Sequence, residues 1–169
     1  MAKIFIMGAP GSGKSYMAKR LSTKLAIPWY DLDSDAAYEL SPTECEDYYE
    51  HLRASDSWIC EVVVLGLQRQ WVEGADLVII LGTPRTYRAL RILLRAFLKG
   101  IGVRFQGQEG KETWGSLRYR LSETWHYLER HQVPFLSQCE MYHERIFVFS
   151  KNVEALKWIC SQVRNPEAF

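Results

Sequence analysis

Gly8-Ala-Pro-Gly-Ser-Gly-Lys-Ser15 satisfies G-x-x-x-x-G-K-[ST] at every fixed position, the pattern of a phosphate-binding Walker A loop. An anion cradle needs several backbone N–H groups converging on one point. The tight curl that aims them passes through conformations that favour glycine, supplied here by Gly8, Gly11 and Gly13. Lys14 is a mobile ammonium able to follow the β- and γ-phosphates, and the Ser15 hydroxyl suits Mg²⁺, a hard cation that takes oxygen ligands. The helix expected to begin near Lys14 adds the positive end of its dipole. The nucleotide-binding set read from this stretch is Gly8, Ala9, Gly11, Ser12, Gly13, Lys14, Ser15 and Tyr16.

The flanks give the loop its context. Lys3 to Met7 is a short apolar run suited to a buried parallel strand, and Ser15 to Leu25 has helical spacing through Met17, Leu21 and Leu25. Strand, loop and helix thus follow in the order the motif requires. A chain of 169 residues, 47% hydrophobic and 24% charged, fits one soluble domain spanning 1–169. A net charge of +1 gives no global reason to expect nucleic acid or an anionic membrane as partner. Cys45, Cys60, Cys139 and Cys160 form no C-x-x-C pair and have no histidine at metal-site spacing, which points to reduced thiols. No run approaches the roughly 18 apolar residues of a membrane span, and the first seven residues are too short for a signal peptide. A cytoplasmic location is expected.

Further along, Ala26 to Tyr30 is a brief strand candidate that Pro28 confines to an edge or a strand start. Asp31, Asp33 and Asp35 follow it, where ligands bind in open α/β sheets, so Asp31 and Asp33 are candidates to face Mg²⁺ or an acceptor hydroxyl. The alternative is that Asp33 or Ser34 caps the next helix. Residues 34–57, rich in tyrosine and broken at Ser41-Pro42, read as a flap over an acceptor. Trp58 to Leu67 has the β-branched content of a central strand, interrupted by Glu61. A buried carboxylate needs a partner, which places Glu61 at the site. Gln68 to Gln70 lead into a short connection, and Asp76 to Leu81 is the next strand. Pro84 then suits the first turn of a helix that Thr83 is placed to cap.

On that helix Arg85, Arg88, Arg91 and Arg95 share one side, while Tyr87, Leu90, Leu93, Leu94 and Phe97 take the other. Four like charges without a neighbouring acid call for an anion, although a solvated basic face has the same pattern. Residues 99–115 carry glycines at 100, 102, 107, 110 and 115 together with Arg104 and Lys111, a composition suited to a lid that closes over polyphosphate. Glu112 to His131 reads as a second amphipathic helix with Trp114, Leu117, Leu121, Trp125 and Leu128 as its core stripe, and Arg118 and Arg120 near its start. Arg145 to Phe149 is the last strand and Val153 to Val163 the last helix, with Ser150-Lys151-Asn152 placed to touch a nucleotide base. The four histidines are scattered and none is assigned a catalytic role.

This arrangement resembles the P-loop small-molecule kinases, adenylate kinase and shikimate kinase among them, and most nearly the adenylate-kinase-like proteins labelled DNA topology modulation or FlaR-like. The matching pieces are Met7 to Ser15, Ile27-Pro-Trp-Tyr-Asp-Leu-Asp33, Trp58-Ile-Cys-Glu61, Ala75 to Leu81, and Pro84-Arg-Thr-Tyr-Arg-Ala-Leu-Arg91. The resemblance implies an α/β, three-layer P-loop NTPase fold with five parallel strands in the order 2-3-1-4-5, flanked by helices and carrying a small lid. It implies ATP and Mg²⁺ as cofactors, with Asp33 and Glu61 facing metal or acceptor, Arg88 or Arg91 on the adenine, and Arg95 serving the lid. Two positions depart from the family pattern: Val62 follows Glu61 where glycine is usual, and Gly82-Thr83 replaces an acid after the fourth strand.

The expected activity is Mg-ATP-dependent phosphoryl transfer to a small acceptor, a nucleoside or nucleoside monophosphate among the candidates. Lys14, Asp33, Glu61 and Arg95 are the expected catalytic set, and Ser15 the expected metal ligand, with Asp33 or Glu61 beside it. Two other readings stand next to it. One is a nucleotide-dependent regulatory ATPase that binds DNA or a protein through the stripe from Arg85 to Lys99. The other is a degenerate nucleotide-binding scaffold.

Overall fold

The computed structural model describes residues 2–33, 41–63, 68–103 and 113–164. Its centre is a sheet of five parallel strands: β1 (Lys3–Gly8), β2 (Trp29–Asp31), β3 (Trp58–Val62), β4 (Leu77–Leu81) and β5 (Ile146–Phe149), ordered β2-β3-β1-β4-β5. This is the strand order the resemblance implies. β1 lies between β3, with Ile6 opposite Glu61, and β4, with Gly8 opposite Leu81. All five residues of β3 and all five of β4 are buried, as strands covered on both faces must be.

The period of two along each strand sorts side chains onto two cores. Ile4 and Ile6 of β1 pack with Met17 and Leu21 of helix α1 (Lys14–Leu25) and with Ile159 of the last helix, Asn152–Arg164. Phe5 and Met7 point to the opposite face, where Trp58, Trp71 and Phe135 gather. Trp71, on the short helix α3 (Gln68–Gly74), is stacked on Phe5 with centroids 6.1 Å apart and meets Trp58 edge-on at 5.3 Å. The residues around Gln68 read as a connection; a helix forms there because Trp71 and Val72 both have core to fill. Helix α2 (Pro42–Ala54) opens with a capping box in which Ser41 and Glu44 satisfy each other's backbone N–H. Its Tyr49 joins the same aromatic cluster.

Two helices differ from their sequence reading in what they bury. Helix α4 (Arg85–Gly100) turns Arg88 and Ile92 inward, while Tyr87, Leu90, Leu94 and Phe97 are each more than half exposed. α4 lies beside the loop rather than flat on the sheet: the Arg88 carbonyl is only 2.7 Å from where a Cβ on Gly11 would be, so its arginine side has the close contacts. Thr83 does not cap α4; its hydroxyl donates to the Ser12 carbonyl instead, and Pro84 stands at the N-cap with no side-chain bond.

Helix α5 (Trp114–Tyr127) begins at a Thr113–Ser116 capping box and passes through a π-helical turn (Leu128–Gln132) into helix α6 (Val133–Gln138). Its buried residues are Glu123, Thr124 and Tyr127 rather than the tryptophan and leucine stripe. Trp114 is 87% exposed and Trp125 51%, because α5 is held by polar bonds to the loop and within its own turns. The last helix, α7 (Asn152–Arg164), packs beside α1, and all four cysteines are free thiols. Among the described residues no helix is long and apolar enough to cross a membrane. Asp35 and the first part of the expected flap, and Arg104 and Lys111 of the expected lid, lie outside the described residues.

Candidate nucleotide-binding site

The turn from β1 into α1 is built around two glycines. Gly11 and Gly13 have φ of +78° and +93°, conformations costly for residues with a side chain. A Cβ on Gly13 would lie 2.2 Å from the Asn152 amide nitrogen, so space as well as torsion excludes a larger residue.

The carbonyls of this loop all point into donors. Pro10 O accepts from the Thr124 hydroxyl at 3.0 Å, and Gly11 O from Arg91 at 3.3 Å. Ser12 O is surrounded by Thr83 at 3.2 Å, Arg91 at 3.2 Å and Asn152 at 2.9 Å. Gly13 O takes the Met17 N–H at 3.0 Å and a longer contact from Asn152 at 3.4 Å. No peptide among the described residues is cis, so each carbonyl turned outward sends the next residue's N–H the opposite way. The N–H groups of Gly11, Gly13 and Lys14 are thereby aimed away from those donors and toward the inside of the curl.

Glu61 meets this loop from β3. Its alternation with Ile59 puts the carboxylate on the α1 face, where it accepts from Ser15 Oγ at 3.1 Å and from Trp29 Nε1 at 3.2 Å. Burial pushes its pKa up to about 7, against the pull of the Lys14 charge. Lys14 is 7% exposed; burial pushes its ammonium down, while Glu61, Asp33 and Asp31 hold it up. Both groups of the pair are thus driven toward neutrality by desolvation, and the charge of a bound phosphate would restore the ammonium. Asp33 accepts the Val63 backbone N–H, and its own N–H donates to Asp31 at 3.0 Å, so the acid turn closes over the end of β3.

Gly8 and Ala9 are buried at the strand end, and a Cβ on Gly8 would crowd Ser12 Oγ at 2.7 Å. Tyr16 is exposed on the outside of α1, bonded at 2.6 Å to Arg20. Arg91 reaches the loop; Arg95, one turn further on, is half-buried with its charge felt at Lys14. Arg88, considered for the adenine, is buried over the Tyr127 ring, 6.0 Å from its centroid. Thr124 is a loop-holding residue that sequence reading passed over. Asn152, read as a contact to a base, instead ties Ser12 and Gly13 to α7.

Ser15 and Glu61 also form a pair of hard oxygen donors at hydrogen-bond distance. Mg²⁺ retains several waters and needs only one or two protein oxygens beside substrate phosphates, so this donor set fits it.

Residues 4–96, more than half of the chain, match the AAA domain family. The chain belongs to the AAA domain family. No curated protein matches this AAA domain chain. Among solved structures, shikimate kinase from Bacteroides thetaiotaomicron superposes with a TM-score of 0.55 at 16% identity, over 96% of this chain and 97% of that one. Shikimate kinase from Acinetobacter baumannii, solved in complex with shikimate, gives 0.57 at 12% identity over 100% and 96%. Deoxyadenosine kinase from M. mycoides, solved with bound dATP, gives 0.55 at 14% identity over 98% and 100%. At these identities the likeness establishes the P-loop kinase fold.

Proposed function

We propose that this AAA domain protein transfers the γ-phosphoryl group of ATP to a small hydroxylated acceptor. The observation that carries the reading is the loop itself, whose carbonyls from Pro10 to Gly13 are held outward by Thr83, Arg91, Thr124 and Asn152 while Lys14 and the Ser15–Glu61 pair flank its interior. Such preorganised donors stabilise charge without reorienting as the reaction proceeds. Ser15 and Glu61 would hold Mg²⁺, which supplies charge neutralisation at the phosphates. Lys14 binds the β- and γ-phosphates, Arg95, whose charge is felt at Lys14, serves the transferred group, and Arg91, bonded to the loop and exposed, packs on the adenine. Asp33, anchored by the Val63 N–H beyond the end of β3, would orient the acceptor hydroxyl.

The solved kinases with this fold act on shikimate and deoxyadenosine, and a nucleoside or nucleoside monophosphate is the first acceptor class to test here. A DNA-binding regulator is less well supported, because the inner part of the basic stripe is not open to a duplex: Arg88 is buried and Arg91 is bonded to the Gly11 and Ser12 carbonyls. The test is ADP release from Mg-ATP across nucleosides, nucleotides and small hydroxylated metabolites. Acceptor-stimulated release that Lys14→Met abolishes is the expected result. Absence of stimulation by any acceptor, or full turnover by the Lys14→Met protein, would overturn the proposal.

A further inference from the structure

Among the described residues Arg88 has no partner for its charge. It is 5% exposed, its Nε is buried without a hydrogen bond, and among the described residues no hydrogen bond or ion pair engages its guanidinium. The Tyr127 ring at 6.0 Å stands at the limit of a cation–π contact and fills none of the N–H donors. Burial pushes the Arg88 pKa down, and the charged group nearest in effect besides the Tyr127 phenol is another arginine, Arg85. Buried charges in folded proteins are paired, so a guanidinium held this way is half of an interaction.

The other half has a place to sit. A cavity of about 260 Å³ opens beside Arg88, lined also by Arg85, Gly82, Thr83, Tyr127 and Gln132, and by none of residues 8–15. The first turn of α4 borders it uncapped: Pro84 at the N-cap offers no side-chain acceptor, no acid lies in that turn, and the Thr83 hydroxyl is committed to Ser12 O. The orphan N–H groups and positive dipole end of α4 therefore add to two arginines. Arg85 has one loose ion pair, 3.7 Å from the mostly exposed Glu129. The volume is several times the ~30 Å³ share of a water, enough for a phosphate group with further atoms attached.

We propose that this cavity is a second anion site, taking a phosphate group, free or carried on a small metabolite, between the guanidinia of Arg85 and Arg88. It is separate from the nucleotide cradle, though Thr83 and Arg88 touch both. Planar guanidinia suit phosphate oxygens as bidentate partners, and here a buried one, Arg88, is joined by the half-exposed Arg85 at the cavity rim.

The test uses the full chain carrying Lys14→Ala, which weakens phosphate binding at the Walker loop, titrated with inorganic phosphate and with glycerol 3-phosphate while thermal unfolding is followed. At ligand about a hundredfold above its dissociation constant the melting temperature should rise by roughly 5–10 °C. Adding Arg88→Met should remove the rise and, in anion-poor buffer, leave a protein that melts above its parent, because an unpaired buried charge has been replaced by an apolar chain. Equal responses to the two ligands assign the site to the free ion, and a response to glycerol 3-phosphate alone to a carried phosphate. No response to either up to about 10 mM, beyond any specific affinity, overturns the proposal, as does a response that survives Arg88→Met. Should Arg88→Met fail to fold, Arg85→Gln on the cavity rim decides: about tenfold weaker binding supports the site, and unchanged binding overturns it. None of these readouts depends on phosphoryl transfer, so failure of the kinase reading leaves the test intact.

Discussion

Replacing Glu61 by glutamine separates what this residue does for the fold from what it does for the site. Glutamine fits the same bonds: its oxygen keeps the Trp29 indole N–H and its amide donates to Ser15 Oγ, whose hydroxyl rotates to accept. Burial raises the Glu61 carboxyl from an ordinary 4.5 to about 7, a difference worth about 3 kcal/mol at ~1.36 kcal/mol per pH unit, an upper figure because Lys14 is coupled to it. Between those two values the folded protein holds a proton that the unfolded chain has released. Stability from this group is therefore complete below about pH 4.5 and is lost as pH rises through about 7. In EDTA and without nucleotide, wild type should lose about 2–3 kcal/mol more than Glu61→Gln between pH 4.5 and 7.5, read as roughly 5–10 °C in melting temperature. Differencing the two proteins cancels the titrating groups that are not coupled to Glu61. With Mg²⁺ and ATP the ranking should reverse, since the variant lacks the charge that helps to hold the metal. Parallel pH profiles for the two apo proteins would refute the assignment of Glu61 as a buried, site-facing carboxyl.

Gly13→Ala should destabilise the protein by roughly 1–3 kcal/mol and weaken ATP binding further, since the new methyl meets left-handed strain and displaces Asn152; calorimetry and nucleotide titration would show both. Asn152→Ala, which removes the donor at 2.9 Å from Ser12 O, should cost about 1 kcal/mol of stability by urea unfolding and raise the dissociation constant for ATP. Thr124→Val keeps the side-chain volume and strands Pro10 O, so about 1–3 kcal/mol should be lost, with recovery in Thr124→Ser.

The loop was legible because its signal is local: eight consecutive residues specify curl, charge and metal ligand, and the apolar run before them and the periodic run after them supply strand and helix. Glu61 could be singled out for a related reason, as an acid inside a run that buries every neighbour. The strand order entered through resemblance rather than through any pairing signal in the residues. What stayed hidden was of two kinds. Periodicity says which side chains of α4 share a side but not which side faces in, and here Arg88 goes inward and Arg91 reaches the loop while Tyr87, Leu90 and Phe97 remain outside. In α5 the spacing of Trp114, Leu117, Leu121 and Trp125 resembles a core stripe, yet the helix is fixed by Thr124, a residue no apolar pattern would select. The second kind is distance along the chain. Thr124 and Asn152 lie 114 and 140 residues from the carbonyls they hold, and a lone threonine or asparagine carries no mark of such a partner.

Those distant bonds bear on how the cradle keeps its shape. A peptide in the loop that turned over would point its carbonyl at the incoming phosphate and its N–H at Thr83, Arg91, Asn152 or Thr124, all of which are donors. The flipped state would leave donor facing donor on one side and anion facing oxygen on the other, with at least one buried group unsatisfied at about 1–3 kcal/mol. A handful of side chains on β4's exit, α4, α5 and α7 thus bias the peptides that carry the Gly11, Gly13 and Lys14 N–H groups toward the anion-binding orientation before a nucleotide arrives, while the Ser12 N–H is held by Ala9 O. The loop's sequence permits that orientation, and the packing of the later helices selects it. Because α4, α5 and α7 must all be docked before the donors are in place, nucleotide affinity should depend on the integrity of helices that contribute no residue to the motif.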